Sequence, residues 1–165
     1  MKKRVLMFCL SLSVLICAAC TPTENLESKG GYQLYFTVSE FWAHGSAIQT
    51  QAWPGTGTPT PKALLQALLS GPKQEGLTSP FPRGVTVVEC AMDPERPGHL
   101  QVVLSEQYSG LSDVSLTLAD YCIVMTLTQL PHVKSVEIQT QGGSFGYRSH
   151  QILRPEEVEL PTLLP

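Results

Sequence analysis

Cys20 has the most distinctive chemical context in this sequence. It follows two small residues, Ala18 and Ala19, at the end of an apolar run that begins after the basic start MKKR at 1–4. A charged start, an apolar stretch and a small-residue cleavage point are typical of an export signal. A thiol directly after the cleavage point resembles a lipobox, in which diacylglycerol alkylates the cysteine before the signal is removed. The sequence therefore predicts a signal peptide over residues 1–19 and lipid attachment at Cys20.

Two other interpretations of this start are a membrane-spanning anchor and an ordinary secretory signal. The apolar run over 5–19 is shorter than the ~20 residues that a spanning helix needs, and ordinary cleavage would leave a reactive cysteine at the new terminus. Cys17 stands where a lipobox usually has leucine, but it follows bulky Leu15 and Ile16 and is a poor alternative attachment site. We therefore expect an extracytoplasmic protein, anchored by lipid at the outer face of the cytoplasmic membrane.

A second chemical pattern is G-x-S-x-G at 142–146, which would make Ser144 a nucleophile. A nucleophile elbow needs a helix directly after the serine, and 147–154 shows no helical pattern before Pro155. The hydrolase triad also needs an acid and then a histidine downstream, whereas His150 follows with no acid between. We interpret this stretch as a glycine-rich loop and predict no catalytic residue; a small serine hydrolase is the remote alternative.

The remaining polar and aromatic candidates are weaker. The histidines lack metal-ligand spacing and are predicted to lie at the surface, with neither a metal nor another cofactor expected; they are His44, His99, His132 and His150. Asp120 is predicted on the exposed face of a helix. Aromatic residues before the first helix are a possible binding patch for a glycan or a partner, although the burial habit of such rings favours a cap on the core; they are Phe41, Trp42 and Trp53.

Length and charge limit the class of protein. Of the 165 residues, those that remain after signal removal suffice for one domain with a core. The formal net charge is −3, and loss of the basic start makes the chain more acidic, so a nucleic-acid partner is not expected. Cys90 and Cys122 could be two buried thiols or one disulfide, and packing as small hydrophobes is favoured.

The elements follow from hydrophobic periodicity. Residues 20–31 are polar and glycine-tipped and are predicted to be a flexible tether. Alternation predicts a strand from Tyr32 to Val38, a weaker one from Ala47 to Trp53, a hairpin over 85–104 and a strand over 133–140. Helical spacing predicts one helix after Thr60 and a longer one over 115–129, closed by Pro131. The segment 144–165 is expected to be a tail that docks in part.

This order, β(β)αββαβ, favours an α+β two-layer sandwich: one mixed β-sheet with two helices on one face. In that arrangement the strand from Tyr32 to Val38 is an exposed edge that could extend a sheet between protomers.

Three segments together resemble the GerMN domain family: LLQALLSGP at 64–72, GLTSPFPRG at 76–84 and MTLTQLP at 125–131. The opening LYF at 34–36 and the strand VVLS at 102–105 also fit, so the resemblance covers residues 32–143. It implies a fold similar to a ring-building motif of secretion-type channels. It also implies an envelope lipoprotein of sporulation or germination with a non-catalytic assembly or binding module. The partners it predicts are the membrane and other envelope proteins or further copies of the chain, with peptidoglycan or another glycan as the alternative.

Overall fold

The computed structural model describes residues 31–39, 46–142 and 151–158. Within these ranges seven strands and two helices follow one another, with short 3-10 turns at Glu106–Gly110 and Pro155–Glu157. The elements are β1 (Gln33–Val38), β2 (Ile48–Ala52), α1 (Pro61–Leu69), β3 (Leu77–Thr78), β4 (Val87–Met92), β5 (His99–Leu104), α2 (Asp113–Leu127), β6 (Ser135–Thr140) and β7 (Gln151–Leu153). The predicted α+β class and the order of its elements are confirmed, and the short strands β3 and β7 add to them.

Helix α1 begins directly after Thr60, as the sequence predicts. The Thr60 hydroxyl accepts a hydrogen bond from the Ala63 N–H at 3.2 Å. Pro61 occupies the first helical position, where it needs no hydrogen-bond donor. Gly71 follows the helix with a φ of +84°, a conformation that disfavours any residue with a Cβ. The leucines Leu64, Leu65 and Leu68 are consequently directed into the core.

Helix α2 connects two parallel strands. β5 and β6 pair in parallel, from His99 opposite Ser135 to Leu104 opposite Thr140, and α2 is the crossover that such a pair requires. β4 pairs antiparallel with β5 in the predicted hairpin, and β7 pairs antiparallel with β6. The sheet order is β4-β5-β6-β7, so the described part of the segment 144–165 adds a strand to this sheet.

The first three strands form a separate antiparallel sheet, in the order β2-β1-β3, instead of joining one mixed sheet as predicted. β1 pairs with β2 along its length, but on its other side β3 reaches only Thr37 and Val38. The rest of that side is occupied by Thr126 of α2 and by Gln129 just after the helix, which leaves no room for a further strand. The end of this helix therefore divides the strands into two sheets.

A single core joins both sheets and both helices. Fully buried side chains reach it from β1, α1, β5, α2 and β6, among them Phe36, Leu65, Val102, Ile123 and Val136. Cys122 is buried in the interior and Cys90 is half-buried beside the core, and both are free thiols, as favoured from the sequence. Burial raises the pKa of Cys90 to about 11 and that of Cys122 to about 12. Both thiols therefore stay protonated and unreactive at neutral pH.

Candidate functional site

Five polar side chains gather where β5 and β6 begin, and we call them the polar cluster: Asp93, Arg96, His99, Ser135 and Glu137. The strand register places His99 beside Ser135, with Glu137 two residues further along β6. Because side chains alternate along a strand, these three lie on the face opposite the core-facing Leu100 and Val136. His99 is nevertheless only 4% exposed and Glu137 only 6%.

Hydrogen bonds link the cluster in one chain. Glu137 Oε2 lies 2.9 Å from both His99 Nε2 and Arg96 Nη2, while His99 Nδ1 lies 2.8 Å from Ser135 Oγ. Arg96 also contacts Asp93 Oδ2 through Nε at 2.6 Å. An ionised carboxylate can only accept, so in the neutral imidazole Nε2 carries the proton and Ser135 donates its hydroxyl to Nδ1. Serine, histidine and carboxylate thus stand in the order used to activate a nucleophile.

The charge on Glu137 is maintained by its neighbours. Burial acts to raise the pKa of Glu137, but hydrogen bonds from His99, Arg96 and Gln139 outweigh it and lower that pKa to about 2. A side-chain hydrogen bond to Arg96 likewise lowers the pKa of Asp93. The cluster therefore contains two ionised carboxylates joined through one guanidinium group.

The surroundings of Ser135 do not fit acyl transfer. Such chemistry needs N–H donors aimed at the oxyanion that forms beside the nucleophile. The backbone N–H groups of Lys134 and Ser135 both donate to the Gly98 carbonyl, at 2.7 and 3.2 Å. Neither N–H group is available to an oxyanion. The two hydrogen bonds instead connect the turn between β4 and β5 to the start of β6.

The prediction that the histidines lie at the surface is wrong for His99. The alternation of β5 places His99 on the sheet face opposite the core, but Glu137 and Arg96 close around the ring and remove it from solvent. His132 is exposed, as predicted. His44 and His150 lie outside the described residues, as does Ser144 of the G-x-S-x-G pattern.

Asp120 is also not exposed, contrary to the prediction. It lies on α2 with 3% of its surface accessible, and the Tyr108 hydroxyl donates to its Oδ1 at 2.6 Å. A helix packed on several sides has no simple solvent face. α2 buries residues around much of its circumference, including Leu116, Ala119, Cys122, Ile123, Val124, Thr126 and Leu127.

Of the predicted aromatic patch, Trp53 is described; Phe41, Trp42 and the lipid site Cys20 lie outside the described residues. The Trp53 ring meets the Tyr32 ring edge to face, with centroids 6.2 Å apart, an arrangement that aromatic pairs favour. Both rings are half-buried and pack against the core. A Cβ on Gly55 would overlap the Trp53 ring, so this position of the indole requires glycine at residue 55. Trp53 therefore covers one end of the core while keeping part of its surface accessible.

The strand from Tyr32 to Val38 is not the free edge that the sequence suggested. The Gln129 side-chain amide accepts from the Gln33 N–H at 2.9 Å and donates to the Gln33 carbonyl at 2.7 Å, as a neighbouring peptide group would. The Tyr35 N–H donates to Thr126 Oγ1 at 3.2 Å. With β2 on its other side, β1 presents no open row of peptide groups to a strand from another protomer. The predicted sheet extension at this strand is wrong.

Metal-binding and membrane-spanning features are both absent from the described ranges. These ranges contain no group of three histidine, cysteine, aspartate or glutamate side chains that could hold a metal ion. In the same part of the chain, no helix combines the length and apolar character needed to cross a membrane.

The fold is similar to solved structures from Bacillus subtilis. The tandem GerMN domains of the sporulation protein GerM match with a TM-score of 0.55 and 20% identity, over 74% of this chain and 43% of that chain. The first GerMN domain of the same protein matches with a TM-score of 0.52 and 20% identity, over 69% of this chain and 84% of that chain. This chain thus spans less than half of the tandem protein, and its fold is that of a GerMN domain.

The sequence comparison identifies the family. The model of the family described as Germane, sporulation and spore germination, matches residues 33–144. The chain belongs to this family, and the resemblance seen in its motifs is confirmed. A comparison with curated proteins finds no match to the chain.

Proposed function

We propose that this protein is an extracytoplasmic lipoprotein, held at the outer face of the cytoplasmic membrane by diacylglycerol on Cys20. Its GerMN-like domain is a non-catalytic assembly or binding module for sporulation, germination or envelope complexes. The observation that carries the proposal is the cysteine after Ala18-Ala19, at the end of a basic and then apolar start. Membership of a sporulation and germination family supports the biological setting.

The non-catalytic role is supported by the most reactive-looking group in the described ranges. Ser135, His99 and Glu137 have the order of a nucleophile, a base and an acid, but the nearby backbone N–H groups that an oxyanion would need already donate to Gly98. Hydrogen bonds among these residues connect β5 with β6. These contacts account for the burial of His99 and Glu137, and no bound substrate is needed to explain it. Cys90 and Cys122 have raised pKa values and are therefore poor nucleophiles.

Metabolic labelling with an alkyne fatty acid tests the anchor directly. The unaltered protein and Cys17→Leu should both be labelled and fractionate with the membrane, whereas Cys20→Ser should lose the label and the membrane association. Cys17→Leu is the matched control, because it removes the neighbouring cysteine and places the usual lipobox residue at that position. Labelling that persists in Cys20→Ser would contradict the proposed attachment site.

The assembly role is tested by cross-linking the lipidated protein in cells and identifying what it captures. We expect envelope proteins or a second copy of the chain. The protein exported in soluble form as Cys20→Ala should fold normally and lose activity, because the anchor supplies the local concentration that weak lateral contacts require. Full activity of that soluble form would refute the importance of membrane placement.

A further inference from the structure

The flank of the domain built from β2, the loop after it and α1 has an unusual charge. From Ser46 to Gln74 the sequence contains no acidic residue and two lysines, Lys62 and Lys73, which are both exposed. The whole chain carries a formal charge of −3. We call residues 46–74 the acid-free flank; its two lysines are its only charged residues, and exposed Glu75 follows it directly.

The residue that leads into β1 lies beside this flank. The Trp53 N–H donates to the Tyr32 carbonyl at 2.7 Å, and the two rings pack together at the same place. Tyr32 directly precedes β1, so the polypeptide enters the first strand beside the half-exposed aromatic pair. Tyr and Trp rings that are half apolar and half polar favour the interface between lipid and water.

Lys73 lies close to the same strand. Its backbone N–H donates to Gln51 Oε1 at 2.7 Å. Gln51 precedes Trp53 by two positions, so the two side chains share a face of the extended chain. The flank therefore combines an aromatic pair with an exposed cation nearby. This combination of aromatic and basic groups is typical of surfaces that meet anionic lipid headgroups.

The length of chain before Tyr32 keeps this end near the anchor. Residues 21–31 separate Cys20 from Tyr32. A chain of that length cannot span more than about 40 Å. The end of the domain that carries Tyr32 and Trp53 is thus the end that meets the membrane most often.

We propose that the acid-free flank rests on the anionic phospholipid surface of the membrane, with Trp53 at the level of the headgroups and Lys73 facing the lipid phosphates. The inference depends on the proposed function, because it requires the lipid on Cys20. It adds an orientation to the anchor, with the edge formed by β2 and the aromatic pair towards the membrane.

Fluorescence of Trp53 in vesicles tests this contact. The sequence has two tryptophans, so Trp42→Phe leaves Trp53 as the only one. The lipidated full chain is reconstituted into vesicles of phosphatidylglycerol and phosphatidylcholine in which the acyl chains are brominated near the headgroup. We expect Trp53 emission to fall at least twofold relative to unbrominated vesicles, and to fall less in vesicles of phosphatidylcholine alone.

Two variants with the same change in charge, Lys73→Glu and Arg83→Glu, test whether quenching depends on this particular flank or only on the net charge of the protein. Lys73→Glu should at least halve the quenching in anionic vesicles. Arg83→Glu should leave the quenching unchanged, because exposed Arg83 follows β3, which pairs with the end of β1 that is remote from Tyr32. Equal losses in both variants would overturn the proposed orientation.

Vesicle flotation distinguishes failure of the contact from failure of the anchor. A chain that floats with vesicles while Trp53 stays unquenched keeps its anchor and refutes the contact alone. A chain that does not float refutes the lipid anchor, and the contact falls with it. Retention on purified sacculi that Trp53→Phe abolishes, together with absent quenching, would assign the aromatic pair to a glycan and overturn the membrane contact.

Discussion

The two sheets protect different kinds of polar group from water. In the three-stranded sheet these groups are backbone peptides of β1, which form hydrogen bonds with neutral side chains at the end of α2. Gln129 completes the hydrogen bonding of Gln33, and Thr126 accepts from Tyr35. In the four-stranded sheet the withdrawn groups are charged side chains, and Glu137 is surrounded by His99 and Arg96. The first arrangement contains no charge and should ignore pH, whereas the second depends on one carboxylate remaining ionised.

This difference shows how one small domain uses two kinds of polar contact for two tasks. The neutral contact blocks strand addition at β1 and separates the sheets. The charged contact joins the turn between β4 and β5 to the strand that follows α2, across a sequence separation of 41 residues between Arg96 and Glu137. Removing the carboxylate of the charged contact should cost more, because the buried His99 ring then loses its charged hydrogen-bond partner.

The largest effect is expected from Glu137→Ala. It removes the carboxylate that accepts hydrogen bonds from His99, Arg96 and Gln139, which should lower the free energy of unfolding by about 3 kcal/mol. Urea denaturation followed by circular dichroism measures the change. Glu89→Ala is the control, because Glu89 is an exposed carboxylate on neighbouring β4. Equal losses in the two variants would show that the polar cluster does not stabilise the fold.

The second effect is on the pH dependence of stability. We expect it to arise from Glu137 in the four-stranded sheet and not from Gln129 beside the three-stranded sheet. The pKa of Glu137 is lowered in the folded state to about 2, below the value of an unfolded glutamate. The stabilisation is therefore complete above about pH 5 and disappears as pH falls through the folded-state pKa. Glu137→Gln should flatten this decline over that window. The decline measured for Gln129→Leu should parallel that of the unaltered protein; a flattened curve there would contradict the assignment of the pH effect to Glu137.

Gln129→Leu itself should have the next largest effect. It removes the side-chain partner of both the N–H and the carbonyl of Gln33. Leaving these two peptide groups unpaired should cost about 2 kcal/mol of stability. Gln66→Leu is a matched control on α1, where the side chain is exposed. Amide hydrogen exchange at Gln33 should accelerate in Gln129→Leu alone. Unchanged exchange at this amide would mean that water replaces the Gln129 side chain at no cost.

Much of this architecture could be predicted from periodicity and end signals. Thr60, Pro61 and Gly71 mark α1, and alternation marks β1 and the hairpin of β4 and β5. The polar contacts could not be predicted, because they depend on tertiary neighbours. Nothing local to Gln129 indicates that its amide pairs with a strand 96 residues away, and nothing local to His99 indicates that Arg96 and Glu137 will cover it.

The candidate site divides in the same way. The predictions for Cys20 and the tether depend only on the order of neighbouring residues in the sequence. They do not depend on tertiary contacts. The sequence shows Trp53 as an aromatic residue near a loop, but its packing against Tyr32 follows from the pairing of β1 with β2. The helical pattern around Asp120 predicts an exposed face because it does not reveal that Tyr108 donates a hydrogen bond to this side chain.

The smallest effect tests whether one hydroxyl matters to the covered side of β1. Thr126→Val keeps the shape of a fully buried side chain but removes the acceptor of the Tyr35 N–H, and should cost about 1 kcal/mol. Thr128→Val is its control two residues later. The Thr128 hydroxyl donates to the Val124 carbonyl, which still receives the Thr128 backbone N–H after the substitution. Faster hydrogen exchange at Tyr35 in Thr126→Val but not in Thr128→Val would show that α2 protects this side of β1 through individual polar atoms. Equal exchange in the two variants would leave Gln129 as the residue that closes the sheet.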